Sequence, residues 1–136
     1  MTMIITSTLA VLLAVLAFPL SVYVTLQRAR VGKAAGDLTA AAFGPHPDIK
    51  LTAAIRAQGN LMEYAPFGLI MVGLAEAAGG QSVWLWGVAL VFAAGRYLHA
   101  LAMLTNPYPP ALRAVAMLTT YAVMIAPAIF LAMGLV

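Results

Sequence analysis

Long apolar runs separated by short polar breaks organise this chain. No charged residue occurs from Met3 to Leu26, and a helix needs about 20 apolar residues to cross a bilayer's hydrocarbon core. The run therefore predicts a first transmembrane helix over residues 3–26. A cleavable leader is the rival expectation, but it requires a basic residue ahead of an apolar stretch of about 7–15 residues. Here no basic residue precedes the run, and the run is longer. A second apolar segment starts near Asp48, passes through Leu61 to Ala77, and is stopped by Gly79 and Gly80, which places a span at 49–77. The third span covers 83–104, after which Asn106-Pro107-Tyr108-Pro109-Pro110 forces a turn. The fourth covers 111–135. These elements predict an all-α fold, a single integral membrane domain of four helices.

Composition strengthens this reading. Hydrophobic residues make up 64% of the chain and charged residues 8%, against about 25% charged in soluble domains. The chain has no cysteine, so any thiol chemistry must use a thiol brought by a substrate. Five of the seven basic residues lie between Arg28 and Arg56. They are not interleaved with aromatic residues, so a nucleic-acid surface is not expected. Their place between the first two spans predicts a cytoplasmic first loop, with the short third loop and Arg113 on the same face. Gly32 to Pro47, rich in small residues, reads as irregular and partly re-entrant. An integral multi-pass protein of a bacterial inner membrane is the expected setting.

The polar residues inside the spans carry the chemistry. A charge at membrane depth costs about 2.5–3.5 kcal/mol even on the gentlest scale, so such residues pair or line a cavity. Arg56, Asn60 and Glu63 stand at i, i+4 and i+7, one helical stripe rising about 10 Å. Gln58 and Tyr64 flank it, and Pro66 frees a backbone carbonyl just beyond. The third span adds Arg96, Tyr97 and His99. Glu63 and Arg96 are placed to pair across helices, which would fix packing; this does not exclude a binding role for either. Arg56 with Arg28 and Arg30 leaves an excess of positive charge at one membrane face, and guanidinium binds carboxylate in a bidentate fork.

The run Arg56-Ala57-Gln58-x-Asn60-x-x-Glu63-Tyr64-x-Pro66 closely resembles the signature of the membrane-associated proteins in eicosanoid and glutathione metabolism, the MAPEG family. Arg96-Tyr97 is similar to the third-helix pattern of that family, and the four-span layout agrees over nearly the whole chain. The resemblance implies a homotrimer with glutathione as cosubstrate, bound between protomers near the cytoplasmic side. It implies that Arg56, Gln58, Asn60, Glu63, Tyr64, Arg96 and Tyr97 contact the tripeptide, joined by Arg28 or Arg30 from a neighbour. Members of the family hold the glutathione thiolate with an arginine at the end of the third helix or a serine nearby. Here that region reads Leu101-Ala102-Met103-Leu104-Thr105-Asn106-Pro107-Tyr108, with no arginine. Arg113 is the first candidate to replace it, and Arg30, Tyr108 and Thr105 follow.

The implied function is a glutathione transferase or peroxidase-like enzyme acting on an apolar electrophile or lipid hydroperoxide that arrives from the bilayer. A non-catalytic lipid-binding or scaffolding member of the same family is the alternative. A small four-span exporter is a third reading, disfavoured because its coupling carboxylate belongs in the first span, which has none. No metal is expected, since His46 with Asp37 and Asp48 lacks ligand spacing. His99 reads as a packing residue, Trp84 and Trp86 as an interfacial anchor, and Glu76 as a residue that snorkels to the opposite interface.

Overall fold

The computed structural model describes residues 2–39, 41–42, 46–79, 82–105 and 109–134. Four helices account for it: α1 Ile4–Ala35, α2 Ile49–Gly79, α3 Val83–Leu104 and α4 Pro110–Met133. All four are long and apolar enough to cross a membrane. The fold is an all-α, multi-pass membrane bundle. The residues 106–108 at which a turn is expected, including Tyr108, and the positions Gly80 and Leu135 fall outside the described residues.

The helix α1 outlasts its apolar run. Arg28, Arg30 and Lys33, expected in a loop, lie on its last turns, and Gly32 is helical rather than the start of an irregular segment. The reason is local: Gln27 to Ala35 contains no proline and mostly good helix formers, and Lys33 in the last turn complements the helix dipole. Termination comes at Gly36, whose φ of 69° is left-handed. Its N–H donates to the Lys33 carbonyl at 3.2 Å and that of Asp37 to the Gly32 carbonyl at 3.1 Å, the paired closure of a Schellman motif. At the start of α4, Pro110 occupies the first helical position, where its missing N–H removes no helix bond.

Among the described residues, α2 packs against each of the other three helices, while α1 and α4 do not meet. The core runs along the bundle from Ile5, Leu9 and Leu13 through Leu61 and Val72 to Leu85, Phe92 and Val123. Gly68 allows Phe92 to lie directly on α2: a Cβ there would run into the ring. The outward residues Val11, Val15, Phe18, Ile125 and Ile129 are exposed, as expected where acyl chains are the solvent. Trp86 packs partly buried against the core, and Trp84 lies 5.2 Å from the Phe130 ring.

Two polar residues sit differently from their sequence reading. Glu76 does not reach out to an interface. It is 1% exposed and accepts from the N–H groups of Ile5 at 2.9 Å and Thr6 at 2.8 Å and from the Thr6 hydroxyl at 2.7 Å. Because α1 and α2 run antiparallel, the end of α2 meets the start of α1, whose own N-cap residue, Met3, makes no side-chain hydrogen bond. Arg96, in turn, does not pair with Glu63. It is buried in the middle of the bundle, with neutral acceptors in place of a carboxylate.

Candidate functional site

The gap left between α1 and α4 opens at the end of the bundle that carries the basic residues. A cavity of about 870 Å³ lies there, lined by Tyr23, Gln27 and Arg30 of α1, Lys50, Thr52 and Arg56 of α2, the end of α3 and Arg113 of α4. A smaller cavity of about 370 Å³ adjoins it, lined by Arg56, Gly59, Asn60 and Glu63 of α2, His99 and Met103 of α3, and Arg113. Arg56, Met103 and Arg113 border both. The polar stripe at i, i+4 and i+7 thus faces a single concave space, and the volume falls in the range of about 300–1,000 Å³ usual for small-molecule sites.

Asn60 is oriented from behind. Its Oδ1 accepts from Arg96 Nη1 at 2.7 Å, and its amide N–H₂ donates to Met117 Sδ of α4 at 4.0 Å. Arg96 Nη2 donates to the Ala116 carbonyl at 3.0 Å and to the Thr120 hydroxyl. The guanidinium lies 5.4 Å from the Tyr64 ring and 5.7 Å from the Phe92 ring, distances at which the ring faces attract a cation. Tyr64 is in edge contact with Tyr121 at 6.5 Å. One buried cation therefore ties α3 to α2 and α4 and fixes a cavity-lining amide.

Of the candidate glutathione ligands, Arg30, Arg56, Asn60 and Glu63 line a cavity, as does Arg113. The others are directed into the protomer. Arg28 Nη1 donates to the carbonyls of Ala41 at 2.5 Å and Ala42 at 2.7 Å, holding the connection to α2. Gln58 donates to the Ser21 hydroxyl at 3.2 Å, and the Tyr97 hydroxyl to the Leu12 carbonyl at 2.9 Å; both link to α1. Arg96 and Tyr64 form the supporting layer just described. Thr105, a candidate for the thiolate, borders the larger cavity, with its hydroxyl bonded back to the Leu101 carbonyl at 2.7 Å. Tyr108 lies outside the described residues.

Other cavity residues were not singled out from sequence. Tyr23, Gln27 and Lys50 border the larger cavity, and Gln27 Oε1 is buried with no donor among the described residues. His99, read as packing, is buried yet borders the smaller cavity. Its spacing with Met103, at i and i+4, was the available signal, since it sets both on one face of α3.

The floor of the site is held by an N-cap. Asp48 Oδ1 accepts from the Leu51 N–H at 2.8 Å and from Arg30 Nη2 at 2.7 Å, while Asp48 N–H donates to His46 Nδ1 at 3.0 Å. The Leu51 N–H holds the Asp48 carboxyl below its ordinary value of 3.8, opposed by burial and assisted by the Arg30 guanidinium. A depressed carboxyl contributes stability that is present above the unfolded pKa and lost as pH falls through the folded one. The thermal midpoint of the wild type, minus that of Asp48→Asn, is therefore expected to shrink as pH drops below about 4. A difference that stays constant from neutral pH down to pH of about 2 would show that this cap is not anchoring α2.

No curated protein gives a match to the chain. The family model of the MAPEG family matches residues 6–133, spanning all four helices and the whole polar stripe. With four membrane-crossing helices and that match over nearly its full length, the chain belongs to the MAPEG family.

Proposed function

We propose that the protein is a membrane-bound glutathione transferase or peroxidase-like enzyme, with glutathione in the smaller cavity and an apolar electrophile or lipid hydroperoxide as second substrate. One observation carries this reading: Arg56, Asn60, Glu63 and Arg113, from two helices, converge on one cavity. Glutathione has two carboxylates and one ammonium. Arginines suit the former through charge-assisted forks, and Glu63 suits the latter.

Arg56 and Glu63 are exposed on the single protomer. Glu63 lies well inside α2, where contact with lipid would be costly. Cover by a second copy removes that cost, which supports a homotrimer with the site at the protomer boundary. The basic end then faces the cytoplasm, where glutathione is drawn from solution.

A free thiol ionises near pH 8.5, and lowering that by two units requires about 2.7 kcal/mol of preferential thiolate stabilisation. Arg113, at the border of both cavities, is the residue we assign to it. The thiolate attacks the electrophilic carbon, a C–S bond forms, and the displaced or ring-opened group takes the electron pair.

Calorimetric titration with glutathione and the ultraviolet absorbance of the bound thiolate test the proposal together. Wild type is expected to bind and to show thiolate near neutral pH. Arg56→Ala should weaken binding about tenfold or more, the loss of one charge-assisted contact. Arg113→Ala should retain most of the binding and lose the thiolate signal and turnover. Failure of the wild type to bind glutathione ends the enzyme reading. Binding without thiolate would instead support a non-catalytic, lipid-binding member of the family.

A further inference from the structure

The larger cavity contains more positive charge than glutathione in its smaller neighbour calls for. Arg30, Lys50, Arg56 and Arg113 border it, and among the described residues no carboxylate does. Asp48 is engaged with Arg30 at 2.7 Å, whereas Lys50 and Arg56 have no ion pair among the described residues. The cavity lies at the end of the bundle where the apolar run of α1 gives way to Arg28 and Arg30, where α2 and α4 begin and where α3 ends. That is head-group depth for a bundle of this length. Its rim is apolar: Ile49 is 81% exposed and Leu104 is 40% exposed. At about 870 Å³ it has room for a head group together with the first part of its chains.

We infer that this cavity binds the phosphate of an anionic membrane phospholipid, with the acyl chains leaving past Ile49 and Leu104. Basic pockets between transmembrane helices on the cytoplasmic side take acidic lipid head groups for the same electrostatic reason. Because Arg56 and Arg113 border both cavities, lipid phosphate and glutathione draw on the same two guanidinium groups. Occupancy by one weakens the other, and by linkage the effect is reciprocal. Lipid retention stands apart from the glutathione reading; only this coupling rests on it.

Native mass spectrometry of the purified full chain, equilibrated with phosphatidylglycerol or phosphatidylcholine, tests the site. Wild type is expected to retain phosphatidylglycerol in preference. Lys50, which borders only the larger cavity, is the residue to change: Lys50→Gln should reduce retention about fivefold, the effect of one cation near a lipid phosphate, and Lys50→Arg should restore it. Equal retention of the two lipids, or no change in Lys50→Gln, overturns the inference. So does displacement of the lipid by glycerol phosphate at comparable concentration, which would mark a site for free phosphate instead.

The coupling is read in nanodiscs. Adding phosphatidylglycerol to a phosphatidylcholine bilayer should raise the glutathione Kd of wild type more than that of Lys50→Gln, whose smaller shift reports surface potential together with the remaining lipid occupancy. Identical shifts would refute shared use of the arginines. If no glutathione binds at all, the retention ratios still decide the lipid site.

Discussion

Arg96→Ala is expected to be the most damaging truncation in the bundle, removing about 3–5 kcal/mol of stability, as for a large buried side chain cut back to alanine. Arg96 is 2% exposed, and its loss opens a cavity where α2, α3 and α4 meet. It also removes donors from the Asn60 Oδ1 and the Thr120 hydroxyl. Burying a guanidinium without a carboxylate is itself unfavourable, and apolar replacements of buried ions are often neutral or stabilising. Volume and charge are separated by Arg96→Met, which fills most of the space without the cation. We expect its thermal midpoint in detergent to stay close to wild type, within about 1 kcal/mol. Arg96→Lys should fall between the two, because an ammonium is a point donor that cannot fork to acceptors on two helices. The methionine variant should nonetheless bind glutathione more weakly than wild type, since Asn60 then keeps only its long contact to Met117 Sδ. A methionine variant as unstable as the alanine one would mean that the hydrogen bonds, and not the filled volume, hold the three helices together. One that binds glutathione normally would remove Arg96 from any positioning role.

Arg96 also shows how far the sequence could be read. The positions of the four helices follow from apolar length, which needs no tertiary information. Convergence of Arg56, Asn60 and Glu63 was equally legible, because the 3.6-residue period alone places them on one stripe. Whether Arg96 points into that cavity or supports it from behind depends on the rotation of α3 against α2 and α4. Sequence spacing does not specify that rotation. Gln58 and Tyr97 pose the same problem: each sits beside the stripe, and each turns to α1. The basic residues after Leu26 misled in another way. Charge marks where the hydrocarbon ends, not where the helix ends, and α1 continues through Arg28 and Arg30 to Gly36. That continuation carries Arg30 and Gln27 to the wall of the larger cavity.

Glu76→Ala is the second substitution expected to have a large effect, and it acts at the other end of the molecule. The first N–H groups of a helix have no partner within it, and inside a membrane protein no water compensates. For α1, two of these groups, on Ile5 and Thr6, are bonded by the Glu76 carboxyl. Its charge has opposed effects: it favours the start of α1 and disfavours the end of its own helix, α2, each by about 0.3–1 kcal/mol. The hydrogen bonds decide the sign, since bonds to a charged acceptor contribute about 1.5–3 kcal/mol apiece and a buried N–H left bare costs about 1–3 kcal/mol. Truncation to alanine should therefore cost about 2–4 kcal/mol overall. Glu76→Gln keeps one acceptor oxygen and should lose roughly half of that. Glu76→Asp, one methylene shorter, should resemble alanine more than glutamine. Amide exchange at Ile5 and Thr6, read beside the thermal midpoint, separates a lost cap from general loosening. Both amides should exchange faster in Glu76→Ala, while glutathione affinity stays at the wild-type level because the cavities lie at the opposite end of α2. Unchanged protection at those two amides would show that the start of α1 is held by packing and that the buried carboxyl does not secure it.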